Sequence, residues 1–540
     1  MTDPHDDVLG RLMLAFQGTA VPAWLRARLA SAPAAGITLF RARNVRSPAQ
    51  LRRLTTGLQA AAQARVGSDG LPLLIAADQE GGQFLALGDG WTPFAGAMAI
   101  GATGDSDLAE RVGRAIGTEL RATGVNVDYA PVLDVALSPE NPSLGIRAFG
   151  DDPAEVARLG AAWLRGVQSA GVAATGKHFP GAGSTGVDTH HALAVAERSR
   201  AEVEATELVP FRAAIEAGVR VVMSGHFAAP GLTASRALPS TLSRRVMGDL
   251  LRDELGFDGV SITDALDMHA LAQGASQAVD VLASLEAGVD LLLATADRVS
   301  QRRIEATLLR ASEIQLLDPE RSRRAAARIA GLRRWLGTFE SPGLEVVASA
   351  DHLALARELA ARSLTLVRDA GALLPLRLSA DARVLAVMPA PRDLTPADTS
   401  SFVTPTLATA LRAHHAPVDE VITGHPPTGA EIAGLREQAA GYDALIVGTI
   451  SAAPASPQAD LVQALAATGK PLVTVALRTP WDLAAYPEAG THVCTYSILR
   501  ESMDALAAAL FGRVEAPAGF PGRLPVRIAG IAERRHGMVN

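Results

Sequence analysis

The stretch GVSITDALDM at residues 259–268 decides how the first half of the chain is read. Val260, Ile262 and Thr263 are β-branched, which favours a strand, and the run ends on an acid, Asp264. A single short apolar run is ambiguous between a buried strand and a piece of buried helix. Repetition removes the ambiguity. Seven further runs of the same kind occur: LMLAFQG from Leu12, GITLF from Gly36, LPLLIAAD from Leu71, VNVDYAP from Val125, VAATGKHF from Val172, VRVVMSGH from Val219 and VDLLLA from Val289. Between most of them lie segments of helical period such as DLAERVGRAIGTELRATG from Asp107, apolar at every third or fourth position. Eight strand and helix units predict a (β/α)8 barrel of the TIM type, whose catalytic groups sit at the C-terminal ends of the strands. Asp264 then points into the barrel mouth, and Asp267 falls one turn into the next helix, where the dipole favours an acid.

Outward from the barrel, a basic helical stretch, PERSRRAAARIAGLRRWLG, leads to Phe339-Glu340-Ser341-Pro342-Gly343, whose Pro and Gly mark a boundary. Beyond it RVLAVMP from Arg383, EVITG from Glu420, ALIVGTI from Ala444, PLVTVAL from Pro471 and HVCTYS from His492 alternate with helical segments, the pattern of a doubly wound α/β sandwich. The expected division is a barrel over residues 1–335, a linker over 336–350 and a sandwich over 351–540. The second half has no G-x-G-x-x-G fingerprint, which argues against a nucleotide cofactor. His414 and His415 read as solvated residues at a helix end.

The 540 residues are 48% hydrophobic and 20% charged, a globular balance, and 50 basic against 57 acidic residues leave no footprint for nucleic acid or anionic lipid. The one cysteine, Cys494, excludes an internal disulfide and reads as a core residue of a strand. No segment has the roughly 18 uninterrupted apolar residues of a membrane span. The N-terminal stretch MTDPHDDVLGRLMLAF carries acids where a secretion signal carries bases, so a cytoplasmic protein is expected. The composition points to a small neutral ligand, with oligomeric state left open.

Four polar clusters follow barrel runs. Asp78, in DQEGG, either caps the next element or meets a ligand that approaches over Gly81 and Gly82. Arg147, in NPSLGIRAFGDDP, is either a surface residue or a binder of hydroxyls. Lys177 and His178 adjoin an apolar strand and need polar partners if buried. The loop after them, rich in small residues and expected to be mobile, carries Asp188-Thr189-His190-His191. In extended backbone residues two apart share a face, so Asp188 meets His190 while Thr189 and His191 point away. A carboxylate beside an imidazole stabilises the protonated ring, as a general acid near neutral pH requires. Asp264 facing such a donor is the arrangement of glycoside hydrolysis. The adjacent histidine pairs are too isolated for a metal site, so neither metal nor other cofactor is expected.

DQEGG at Asp78, APVLDV at Ala130, GIRAFGDDP at Gly145, KHFPG at Lys177, D-x-H at Asp188, VMSGH at Val222 and ELGFDGVSITDALDM at Glu254 together make the chain resemble glycoside hydrolase family 3, in its β-N-acetylglucosaminidase branch. RSLTLVRDAGALLPL at Arg362 and GRLPV at Gly522 resemble that family's C-terminal sandwich. The resemblance implies a retaining exo-glycosidase that releases β-linked N-acetylglucosamine from muropeptides or chito-oligosaccharides, as in peptidoglycan turnover. It implies Asp264 as nucleophile, His190 with Asp188 as acid/base, and Asp78, Arg147, Lys177 and His178 as sugar-binding residues. Phosphate in place of water as acceptor stays open, as does a β-glucosidase of the same family, although Ala265 stands where such an enzyme has a tryptophan. A non-catalytic sugar-binding relative is the reading that intact Asp264, Asp188 and His190 oppose. The branch commonly has histidine where Ala182 stands and arginines where Gln83 and Ala86 stand, which bears on the neighbouring sugar subsite.

Overall fold

The computed structural model describes residues 4–66, 68–396, 398–513 and 519–538. Residues 1–3 of the acidic N-terminal stretch lie outside them. All eight runs form strands: β1 (Leu12–Leu14), β2 (Gly36–Thr38), β3 (Leu74–Ala77), β4 (Val127–Asp128), β5 (Ala173–Phe179), β6 (Val221–Ser224), β7 (Val260–Ala265) and β8 (Leu291–Leu293). Each pairs in parallel with its neighbours in sequence, and β1 pairs with β8 to close the barrel.

The interior is packed rather than hollow. Met13, Leu74, Val127, Tyr129, Val221, Ile262 and Leu291 fill it and are buried. The basic stretch after the barrel is helix α1 (Pro319–Leu336), capped by the Asp318 carboxylate on the Glu320 and Arg321 amides. Its Ile329, Leu332 and Leu336, spaced as one helical stripe, join the same apolar cluster and close the N-terminal end of the barrel. A ligand of the catalytic mouth therefore enters from the C-terminal side.

The second half forms a six-stranded sheet of β9 (Thr365–Asp369), β10 (Val384–Pro389), β11 (Val418–Thr423), β12 (Ala444–Thr449), β13 (Leu472–Ala476) and β14 (Thr491–Cys494), in the order β9-β14-β13-β12-β10-β11. β9 is antiparallel to β14 and the rest are parallel. The five expected strands are present, and β9 is an addition: TLVRD carries an arginine and an aspartate, which hid it. Cys494 is buried in β14. His414 and His415 depart from expectation. They follow a short helix but are only partly exposed, with His415 stacked on Phe511 and bonded at 2.6 Å to the Ala382 carbonyl.

Two loops at the C-terminal ends of this sheet's strands reach the barrel. Arg478, beyond β13, donates to Asp398 at 2.8 Å and to the Gln83 side chain. The Thr399 amide donates to the Gln83 carbonyl at 2.8 Å, and the Leu85 amide donates to the Thr399 hydroxyl at 3.0 Å. Gln83, one of the departures from the family pattern, is thus a buried bridge between the halves. Leu355 and Leu359 of the helix Ala350–Ser363, and Leu524, Val526 and Ile528 near the C-terminus, join the apolar cluster that surrounds the barrel.

Candidate active site

The C-terminal ends of the barrel strands converge on a cavity of about 380 Å³ lined by Asp78, Arg147, Lys177, His178, His190 and Asp264, among others. Of the seven residues expected to form the site, all but Asp188 line this one space. Asp188 lies directly behind it, bonded to His190.

The charged floor comes from β3, β5 and the loop at Arg147. Lys177 donates to Asp78 at 2.7 Å and to Glu80 at 2.6 Å. Arg147 grips Glu80 with two bonds of 2.8 Å and donates to the Ser143 carbonyl at 2.9 Å. Two cations and two carboxylates balance, which lets Lys177, Arg147 and Glu80 be buried together. Burial alone pushes the Glu80 carboxyl up, but Arg147 and Lys177 outweigh it and hold it at about 2. Asp78 goes the other way: burial and the Glu80 charge raise it in spite of Lys177. Arg147 is therefore a buried residue held by Glu80, and Asp78 is no helix cap.

His178 donates from Nδ1 to Asp134 at 2.7 Å, and the other oxygen of Asp134 accepts from the Ala182 amide, also at 2.7 Å. The base of the glycine loop is thereby tied down. A side chain at Gly183 would meet the Val135 carbonyl oxygen at 1.7 Å, and Asn141 holds the Ala182 carbonyl at 3.0 Å and the Thr185 hydroxyl at 3.1 Å. The small residues serve close packing here, and between Gly181 and Asp188 only Gly186 and Val187 are exposed.

Asp188 and His190 meet, though by a turn rather than in extended backbone. One Asp188 oxygen accepts from the His190 amide at 2.9 Å and from its Nδ1 at 2.7 Å, and the His191 amide bonds back to the Asp188 carbonyl at 3.0 Å. The turn also brings Thr189 to the cavity, contrary to expectation, while His191 is exposed as expected. The Thr189 carbonyl accepts from the Ala270 amide at 3.2 Å, so the loop docks on the segment that follows Asp264. Burial lowers the affinity of His190 for its proton, but the bond to Asp188 and the charge of Asp264 raise it further, and the net shift is upward. Asp188 is held below the usual carboxylate range because His190 outweighs its burial.

Asp264 sits at the end of β7, with Oδ1 accepting from the Ala265 amide at 2.7 Å. Burial would raise its carboxyl, but His178, His226 and His190 face it and the net shift is downward. A carboxylate whose surroundings favour its ionised form and an imidazole whose surroundings favour protonation thus face one cavity. Asp267 is exposed in a run of turns rather than in a helix, and accepts from the Thr295 hydroxyl at 2.6 Å. Among the described residues no group of three or more His, Cys, Asp or Glu side chains could hold a metal ion, and no helix is long and apolar enough to cross a membrane.

Sequence reading missed Glu80, Asp134 and His226, each within a quoted motif, because nothing in the motif says which polar residue is a partner and which faces the ligand. It also missed Asp393, Asp398 and Phe402, which line the mouth from the loop after β10. That loop has no sequence signal tying it to the barrel.

A mouth of this kind on a (β/α)8 barrel, with a carboxylate facing a proton donor, defines a glycoside hydrolase. Residues 13–331 match the glycosyl hydrolase family 3 N terminal domain, and the chain belongs to that family. A solved glycoside hydrolase family 3 β-N-acetylglucosaminidase from Paenibacillus sp. str. FPU-7 is 36% identical, with a TM-score of 0.90 over 98% of this chain and 99% of that one. Beta-hexosaminidase A of Pseudoalteromonas piscicida is 37% identical over 384 residues, 66% of this chain and 63% of that protein. A beta-N-acetylglucosaminidase/beta-glucosidase of Cellulomonas fimi is 33% identical over 395 residues, 71% of this chain and 67% of that protein.

Proposed function

We propose that the protein is a retaining exo-glycosidase that releases terminal non-reducing β-linked N-acetylglucosamine, with Asp264 as nucleophile and His190, paired with Asp188, as acid/base. The observation that carries the reading is the convergence of Asp264 and the Asp188–His190 pair on one blind cavity. A protonated His190 delivers its proton to the departing glycosidic oxygen while the ionised Asp264 attacks the anomeric carbon; the deprotonated imidazole then activates water for the second step. Lys177, Arg147 and Asp78 offer charged donors and an acceptor to the sugar's hydroxyls, and His178 joins them. Removal of a terminal unit fits a cavity that α1 and the barrel core close from below. N-acetylglucosamine is chosen over glucose on the names of the relatives, one of which carries both activities. The proposal includes muropeptides or chito-oligosaccharides as substrates and a cytoplasmic setting.

A second reading, phosphorolysis at the same site, is favoured by Arg41 and Arg43 at the mouth and by an acid/base that does not repel an anion. One assay tests both: release of nitrophenol from its β-N-acetylglucosaminide and β-glucoside, each with and without phosphate. Faster release from the N-acetylglucosaminide, unchanged by phosphate, is expected. Acceleration by phosphate with formation of the sugar 1-phosphate selects the second reading, and preference for the glucoside refutes the substrate assignment.

A further inference from the structure

A second cavity, of about 390 Å³, opens at the opposite, N-terminal face of the barrel, where α1 meets the starts of β7, β8 and β1. Six arginines line it: Arg11, Arg244, Arg252, Arg321, Arg324 and Arg328. Its one buried carboxylate, Asp290, is shared by Arg252 at 2.6 Å and Arg328 at 3.1 Å. Arg11 is buried beside them and, among the described residues, bonds to the backbone carbonyls of Asp290 and Val289. Burial without a carboxylate in contact pulls its pKa down to about 10.

Six guanidinium groups thus line the cavity with two carboxylates, Asp290 and the exposed Asp253, while Arg321 pairs with Glu286 and Asp318 and Arg324 with Glu320 around the rim. The C-terminal end of the helix Gln277–Ala287 adds about half a negative charge at the same wall. Arg252 Nε, buried, has no partner among the described residues. Arg244, 63% exposed, has its nearest carboxylate at 3.6 Å, in Asp249. Arg321 bonds to the Glu286 carbonyl at a helix end, while Arg11 and Arg252 bond to carbonyls of the loops that lead into β8 and β7, at Val289, Asp290, Phe257 and Gly259; none of these bonds involves Arg244 or Arg328 at the cavity wall. Between the arginines the wall is bare backbone: Gly248 and Gly288 adjoin, so that a side chain on Gly288 would come to 3.8 Å from Gly248.

We propose that this cavity is a binding site for a phosphate-bearing anion, at the face opposite the catalytic mouth. Planar guanidinium forks match phosphate oxygens two at a time, and the bare glycine wall lets the anion come close. The site is separate from any phosphate acceptor in the mouth.

Calorimetric titration of the full chain at low salt, with inorganic phosphate and separately with glycerol 3-phosphate, tests it. Saturable one-to-one binding of at least one probe is expected, weakening as sodium chloride rises. Binding of both probes marks the phosphate group alone as the determinant, and binding of the ester only marks a phosphorylated metabolite. Arg244→Glu, at an exposed side chain, and the double variant Arg244→Glu with Arg328→Gln should weaken binding about tenfold or more, with aryl glycoside turnover unchanged. His190→Ala should leave the affinity as it was. Absence of saturable binding, an affinity unaltered in both arginine variants, or loss of binding in His190→Ala would overturn the proposal.

Discussion

Replacing Glu80 by glutamine removes the one charge that both Arg147 and Lys177 contact. Three hydrogen bonds of 2.6 to 2.8 Å end on this carboxylate, and its side chain and that of Arg147 are each 5% exposed. The substitution leaves two buried cations with Asp78 as their nearest partner. A carboxyl held at about 2 instead of its ordinary 4.5 stabilises the native state by about 3 kcal/mol at neutral pH. The cost of removing one member of a buried pair is about 3–5 kcal/mol, so the two routes agree. Because the folded value is depressed, this stabilisation is present above pH 4.5 and is lost as pH falls through about 2. Urea unfolding of Glu80→Gln and wild type at pH 7 should differ by about 3–5 kcal/mol, with the gap narrowing below pH 4.5. KM for the aryl glycoside should rise, since Lys177 and Arg147 lose their anchor. A loss under about 1 kcal/mol at pH 7 would refute the view that this charge balance holds the floor of the site.

His190→Ala should slow glycosides with poor leaving groups by about 10² to 10⁴ and those with activated phenols far less, because the latter depart without a proton. Equal losses on both would remove His190 from the acid role. His191→Ala, at an exposed ring, should be nearly silent in the same assay. Asp188→Asn removes the partner that raises His190, so the alkaline limb of the rate profile should move to lower pH. By the same sign, the stability that His190 gains from Asp188 is full below about 6.5 and fades as pH rises through the raised value; an unmoved alkaline limb contradicts the pairing. A chain ending at Phe339 should keep a barrel by circular dichroism, with a lower unfolding midpoint because Leu355, Leu359, Leu524, Val526 and Ile528 are gone; absence of a cooperative transition would refute the division at residues 336–350.

The barrel was legible because β-branched runs recur at even spacing between amphipathic helices, a pattern that survives without any knowledge of contacts. Asp264, Lys177 and His178 were legible for the same reason, since a strand end fixes which way its last residues point. Partnership was not. Asp134 is set against His178, and Glu80 against Arg147, by segments far apart in sequence, and an acid in a motif looks alike whether it faces ligand or lysine. The turn at Asp188 was misread as extended because the sequence DTHH carries no turn residue beyond the aspartate itself. β9 escaped because an edge strand tolerates charge, and Arg478 because its partner Gln83 lies 395 positions away.

The central claim is that Asp264 forms a covalent bond to the sugar. Incubation with an activated 2-deoxy-2-fluoro-β-glycoside, followed by proteolysis and mass spectrometry, reads it directly, because the fluorine slows the second step and leaves the sugar on the nucleophile. The account predicts one label per chain, on Asp264 within the peptide covering residues 259–268. A label on Asp267, or none on a protein that still turns over the ordinary glycoside, would contradict it.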